Sequence, residues 1–577
     1  MDNFTFRKRR ISAALGKVEA DFVMKNAVVF NVFTKEYETG DIAVIDGYIV
    51  GIGSYHGKKE MDAKGRTVVP GFIDGHLHLE SSVVTPKQYA RAVLPHGTTA
   101  IVADPHEIAN VLGEKGIDYI LNSTATIPLD VFIMMPSCVP ATPFDESGAF
   151  LNAEIIDKYL ENERILGLAE LMNYPGVLGG DDEVIRKIRA TMRHRKMIDG
   201  HAPGLSGEEL NAYTTAGVFS DHECTTAEEA IDKLKHGQWI MIREGTACKN
   251  LLKLLPLFEE PYARRCLLVT DDKHPGDLKR EGHIDHIVRK AIANGADKEN
   301  AYCMASINAA TYFGMRQRGA VCPGYIADFI LLDDMDTVQI AQVYKNGILV
   351  ADCKTDEKGQ QLIDENHKLW LGDQVDKELE EAVMDTIKVG DVTAADFVIH
   401  KEKEKIIGLI PGEILTTDEG ETSQIDVSKD ICKMAVVERH HMTGHIGVAF
   451  VKGYGLQEGA IATSIAHDSH NIIVAGASEE DMAVAIQALK EMHGGMVVVN
   501  HKKVVEKLAL PIAGLMCNLD VEETQEKMDA VKEAARAQGV REDIDPFMTL
   551  SFTSLAVIPA LRLTTLGVVD VNQFKLL

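Results

Sequence analysis

The stretch PGFIDGHLHLESS (residues 70–82) runs from an apolar strand into two histidines, His76 and His78, spaced two apart. Alternate residues of a strand point to one side, so both imidazoles face the same way at its end. Two imidazoles on one face can share a metal ion. Taken alone, such a pair is better read as two ordinary histidines. Its surroundings change that. Between residues 68 and 318, short apolar runs alternate with helical spacing. TVVPGFID (67–74), TTAIVAD (98–104), ILGLAE (165–170), MIDGHA (197–202) and CLLVTDD (266–272) read as strands; 182–196 and TAEEAIDKLKHG (226–237) read as helices. Repeated β-then-α units over this length predict an α/β fold, a TIM-like (β/α)8 barrel, with a doubly wound open sheet as the alternative. In a barrel, functional side chains stand where strands end. Glu170 closes one run, His201 the next, His222 follows GVFSD (217–221), and Asp271 and Asp272 close the last. Any one of them can be a helix cap. Together, in order at successive strand ends, they read as a ligand set, and imidazole and carboxylate donors suit manganese, iron or zinc. His106 and Glu107 follow the strand TTAIVAD and should face the same mouth.

Different textures flank this body. ADFVMKNAVVFNVF (20–33) and GDIAVIDGYIVGIG (40–53), the latter turning at Asp46-Gly47, predict strands. PGYIADFILLD (323–333) and VYKNGILV (343–350), turning at Asn346-Gly347, return to that texture. We therefore expect residues 1–67 and 319–352 to form one small composite β-domain around a barrel at 68–318. Polar residues 353–384 read as a linker or surface segment, with KELEEAVMD (377–385) as a solvated helix face. Residues 385–577 read as a separate C-terminal α/β domain. There Ser478 and Asp481 predict a capping box, Met482, Ile486, Leu489 and Met492 share a helix face, and Gly494 follows the end.

The 577 residues carry a net charge of −27, with 45% hydrophobic and 25% charged residues. That balance is ordinary for a globular chain and excludes a disordered one. So acidic a surface repels phosphate backbones and anionic lipid, so nucleic acid is not an expected partner. Arg7-Lys8-Arg9-Arg10 is too short a basic cluster to reverse this. No apolar run nears the ~18 residues of a membrane span, and Lys17, Glu19 and Asp21 interrupt any signal-peptide core. Nine scattered cysteines without a C-x-x-C pair read as reduced thiols. A cytoplasmic location away from membrane is expected.

PGFIDGHLHLE, the later His, His and Asp, and the closing PGYIADFILLD together resemble the amidohydrolase superfamily. Within it, HLHLESS (76–82), ADPHEIANV (103–111), GLAELMNYPGV (167–177), IDGHAPG (198–204), SDHECT (220–225), VTDDKHPGDL (269–278) and ATSIAHDSHNI (462–472) resemble the bacterial-type adenine deaminases, over almost the whole chain. The resemblance implies two ions at the barrel mouth, manganese first, with iron or zinc as alternatives. His76, His78 and Asp271 would hold the more buried ion, and His201 and His222 the second. Many relatives bridge the ions with a carbamylated lysine. Here the strand-end residue is Glu170, whose carboxylate supplies the anionic bridge that two neighbouring cations require.

The implied reaction is hydrolysis of adenine to hypoxanthine and ammonia by metal-activated hydroxide, in purine salvage. Asp271 would move the proton, Glu107 or Glu223 (less so Glu80) would protonate the ring, His106 would take a substrate or metal-shell role, and Asp272 would contact substrate. A homodimer is the expected assembly. The histidines of ERHHMTGH (438–445) and AHDSHN (466–471) are expected to pack over the barrel mouth or on a neighbouring subunit, a second metal site being the alternative. Competing readings are an amidohydrolase of cyclic amides or N-acetyl sugars, and a non-catalytic binding barrel. The retained His76, His78, His201, His222 and Asp271 argue against the latter. The small zinc deaminases are excluded: His78-Leu79-Glu80 matches their H-x-E, but the sequence has no P-C-x-x-C.

Overall fold

The computed structural model describes residues 3–246, 248–355, 361–365, 375–399 and 401–577. Eight short strands form its centre: β1 (Phe72–Leu77), β2 (Thr98–Ala103), β3 (Asp130–Met135), β4 (Ile165–Leu171), β5 (Met197–Gly200), β6 (Ser220–Asp221), β7 (Trp239–Arg243) and β8 (Cys266–Val269). Strands β1 to β5 pair in chain order, as do β6 to β8. Those pairings are parallel. A parallel bridge between Leu77 and Asp271 brings the end of β8 back beside β1. This is the TIM-like barrel. Between β5 and β6 the backbones touch: a Cβ on Gly200 would lie 2.1 Å from the Ser220 carbonyl oxygen, so only glycine permits the approach. Parallel strands are covered on both faces and therefore read as continuous apolar runs. Ile73, Ala100, Val102, Met134, Met241 and Leu267 pack together inside the barrel, which leaves the polar strand ends to form its mouth. Strands β3 (DVFIMM) and β7 (WIMIR) are absent from the runs read as strands in the sequence.

A nine-stranded sheet joins the two ends of the barrel segment. Thr67–Pro70 is its seam, pairing with Val28 and Val29 on one side and with Phe329–Leu332 on the other. The barrel's first strand therefore begins at Phe72, not at residue 68. Asp46-Gly47 and Asn346-Gly347 all have positive φ, the geometry a two-residue hairpin turn needs. The N-terminus departs from the strand expectation: Asn3–Ala14 is a helix, fastened by Arg9 to Asp21 at 2.6 Å and also to Asp46. The segment expected to be a linker, 353–384, is more structured than its polarity suggests. Ile348–Thr355 and Gln361–Glu365 extend the sheet and Lys377–Met384 is helical. Its remaining residues 356–360 and 366–374 lie outside the described residues.

Beyond it, an eight-stranded sheet spans Glu404 to Ala509. It is antiparallel except where Glu404–Leu409 meets Ile446–Lys452. The helix Glu479–Glu491 buries Met482, Ile486 and Leu489 against it. Ser478 caps that helix by accepting the N–H of Asp481 at 3.3 Å. The capping box is incomplete, because the Asp481 carboxylate accepts the N–H of Lys502 at 2.6 Å instead. This unit rests on the barrel: Cys517 N–H donates to the Val83 carbonyl at 2.8 Å, and the Asn471 amide to the Glu146 carbonyl at 2.8 Å. The loop between Thr463 and Ile472 consequently lies over the barrel mouth. Among the described residues, no helix is long and apolar enough to cross a membrane.

Candidate metal centre

His76, near the end of β1, and His78, just beyond it, converge on two carboxylates. His78 Nε2 lies 3.3 Å from Glu170 Oε1 and 3.1 Å from Asp271 Oδ1; His76 Nε2 lies 3.9 and 3.8 Å from the same atoms. The other Glu170 oxygen, Oε2, meets His201 Nδ1 at 2.7 Å and His222 Nε2 at 3.2 Å. Each oxygen of Glu170 thus serves one imidazole pair. The rings of His76 and His222 stack with centroids 4.3 Å apart, and His201 follows 5.1 Å from His222. All of these side chains are buried except His201, which is partly exposed.

The donor set fits divalent ions. His78 bonds the Asp104 carbonyl through Nδ1 at 3.0 Å, which turns Nε2 toward the two carboxylates. Burial opposes charge on this ring, but Asp271 and Asp272 outweigh it and hold the ring well above the usual imidazole range; a divalent ion would take the place of the Nε2 proton. His76 Nε2 is buried with no hydrogen-bond partner among the described residues. Burial and the neighbouring His222 hold His76 well below the usual imidazole range, in its neutral, ligating form. Burial opposes charge on Glu170 and Asp271. His222 and His201 outweigh it at the first, Arg243 and His78 at the second, so both stay well below the usual carboxylate range. Two anions surrounding an unpartnered nitrogen form a place for a cation.

Arg243, at the end of β7, has no counterpart among the residues singled out in the sequence. Its Nη1 donates to Asp271 Oδ2 at 2.6 Å and to Glu223 Oε1 at 2.5 Å, and Nη2 donates to Glu223 Oε2 at 3.0 Å. The strand-end rule that found Glu170 would have found it had WIMIR been read as a strand. Arg243→Gln leaves both buried carboxylates short of their cation. Breaking such a pair costs roughly 3–5 kcal/mol. We expect a lower melting temperature and at least a tenfold drop in turnover, with metal content kept, because Arg243 donates to no ion. Unchanged turnover would remove Arg243 from the orientation of Asp271.

The other expected site residues divide. Glu223 Oε1 stays with the centre, 3.3 Å from His222 Nε2 and 3.7 Å from His201 Nδ1. His106 stands between Asp104 Oδ2 at 3.0 Å and Glu170 Oε1 at 3.7 Å. Asp272 accepts the Ser81 hydroxyl. Glu107 is not among the groups around Glu170; it meets His467 and His470 of the C-terminal unit. Burial opposes charge on Glu107 and Glu223, but imidazoles around the first and Arg243 beside the second hold both well below the usual carboxylate range. Glu80 is the opposite case. Its Oε1 accepts the Ile108 N–H at 3.0 Å, and its Oε2 has no hydrogen-bond partner among the described residues. Burial and the nearby Glu107 push it up to about 7. Glu80, Ser81 and Asp272 share one cavity with Ile465, His467 and Phe547, so that cavity is walled by both the barrel and the C-terminal unit. His440, His441 and His445 only fasten the neighbouring loops, bonding the Ser469 carbonyl, the Ser147 carbonyl and Glu146.

A parallel barrel with strand-end histidines gathered around one buried carboxylate defines a metal-dependent hydrolase of the amidohydrolase class, and the Amidohydrolase family model matches residues 67–350. The Adenine deaminase C-terminal domain model matches residues 412–575. The chain is 47% identical over 578 residues to adenine deaminase 2 of Carboxydothermus hydrogenoformans, covering 98% of each. It is 44% identical over 577 residues to adenine deaminase of Oceanobacillus iheyensis, covering 98% of this chain and 97% of that one. The chain belongs to the adenine deaminase family.

Proposed function

We propose that this chain hydrolyses adenine to hypoxanthine and ammonia, using two divalent ions, manganese first among them. His76, His78 and Asp271 would hold one ion, His201 and His222 the other, and Glu170 would bridge them. The observation that carries this reading is the division of the two Glu170 oxygens between two imidazole pairs. Bound there, the ions would lower the pKa of water enough to supply hydroxide near neutral pH.

The chain's own groups do the rest. Asp271 has one oxygen toward the centre and the other fixed by Arg243, which supports a role in which it accepts the proton of the attacking hydroxide and passes it to the departing amine. The cavity beside the centre is lined by polar groups, Glu80, Ser81, Asp272 and His467 among them, and by apolar ones, Ile465, Met496 and Phe547 among them. A flat heteroaromatic ring with polar edges suits such a lining. That reaction belongs to purine salvage, and nine free cysteines fit a reducing cytoplasm.

The test is direct. Metal-loaded protein incubated with adenine should release ammonia and shift the ultraviolet spectrum toward that of hypoxanthine. An unchanged spectrum, together with turnover of a hydantoin or an N-acetyl sugar, would overturn the reading.

A further inference from the structure

The loop AHDSHN (466–471) carries two histidines from the C-terminal unit to one barrel carboxylate. His470 Nδ1 accepts the N–H of Ala466 at 3.3 Å, which leaves the ring proton on Nε2, and Nε2 donates to Glu107 Oε2. His467 Nδ1 lies 3.0 Å from Glu107 Oε1. His106 Nε2 stands 3.5 Å from that same oxygen. The His467 ring stacks on Phe552, with centroids 4.5 Å apart and planes 16° apart, so its orientation is fixed from the C-terminal side. With Nδ1 committed to Glu107, Nε2 is the nitrogen left over, and the ring lines the cavity beside Glu80, Asp272 and Phe547.

We propose that His467 is a catalytic residue of the deamination, delivering the proton from its Nε2 to a ring nitrogen of the purine, with Glu107 as its counter-anion and His470 as the positioning residue of Glu107. The assignment rests on the adenine reading given above. As hydroxide bonds to carbon 6, the proton leaves His467 for nitrogen 1. Asp271 then carries the hydroxyl proton to the amino group, the carbon–nitrogen bond breaks, and ammonia departs. The product keeps a carbon 6 carbonyl and the proton on nitrogen 1. The next water supplies both the hydroxide and the proton that returns to His467, so adenine plus water balances hypoxanthine plus ammonia.

The charged neighbours support the imidazolium. Burial opposes it, as do the nearby imidazoles of His470 and His274. Glu107 and Asp272 from the barrel and Asp468 from the same loop outweigh them and push His467 up to about 9. The acid form is the active one, so kcat/KM should hold below that pH and fall as pH rises through it.

His467→Asn retains an N–H for Glu107 but has no proton to give. We expect kcat to fall roughly 10²–10⁴-fold, the range of general acid–base catalysis, with little change in KM. Metal content should match the parent's, and the alkaline fall of the profile should disappear. His470→Gln, which can still donate to Glu107, should keep more activity than His470→Ala. Several results would overturn the proposal. One is a variant as active as an adenine-deaminating parent. Another is loss of activity in Glu80→Gln while His467→Asn retains it, which moves the acid to Glu80. A third is loss from His467→Asn of an ion the parent holds, which makes Glu107, His467 and His470 a metal site. Should the variants fail to fold, the parent's own profile decides, and absence of the alkaline fall overturns the assignment. A parent inert toward adenine overturns the adenine reading and this inference with it.

Discussion

Replacing Glu170 by glutamine is expected to strip the protein of metal and of activity together. The carboxylate gives one oxygen to the His76 and His78 side and the other to the His201 and His222 side. Two unit charges at 4 Å repel by about 4 kcal/mol at an effective dielectric of 20, and divalent ions multiply that roughly fourfold. The neutral amide offsets none of it. It also places an NH2 group where one imidazole pair needs an oxygen. Residues that only orient metal ligands cost roughly 10–100-fold in metal affinity when mutated, and a bridge should cost more. Metal analysis of Glu170→Gln should therefore find less metal than in the parent, and ammonia release should fall to background. Full occupancy with normal turnover would contradict the assignment.

Asp271→Asn should separate chemistry from assembly. Asn keeps the volume and one ligating oxygen, so part of the metal should remain. It cannot accept a proton, and its amide can face Arg243 only at the expense of one of the present contacts at 2.6 and 3.1 Å. Loss of a positioned acid–base group costs typically 10²–10⁴-fold in rate, and steady-state ammonia release should show a fall of that size. An unchanged rate would transfer the proton-carrying role to Asp272, its neighbour on the Ser81 hydroxyl.

The parts of the molecule that were legible in the sequence are those governed by local periodicity. Apolar runs ending in His or a carboxylate mark the strand ends of a parallel barrel, and that rule alone places His76, Glu170, His201, His222 and Asp271. It fails where the run ends in a cation rather than in His or a carboxylate, as at WIMIR, so Arg243 stays hidden although it fixes two site carboxylates. Asn3–Ala14 is obscured by a mean hydropathy too low to suggest a packed element. The meeting of Glu107 with His470 spans 363 residues. No spacing can announce a contact made by one folded unit docking on another. The incomplete cap at Ser478 has the same origin, since the Asp481 carboxylate is claimed by the distant Lys502.

Anomalous diffraction at the manganese edge, from crystals of the manganese-loaded protein, addresses the bridged pair itself. Two peaks should appear roughly 3.5–4 Å apart, one against His76 and His78 and one against His201 and His222, with Glu170 between them. A single peak, or two peaks of which neither touches Glu170, would contradict a two-ion centre built on that carboxylate.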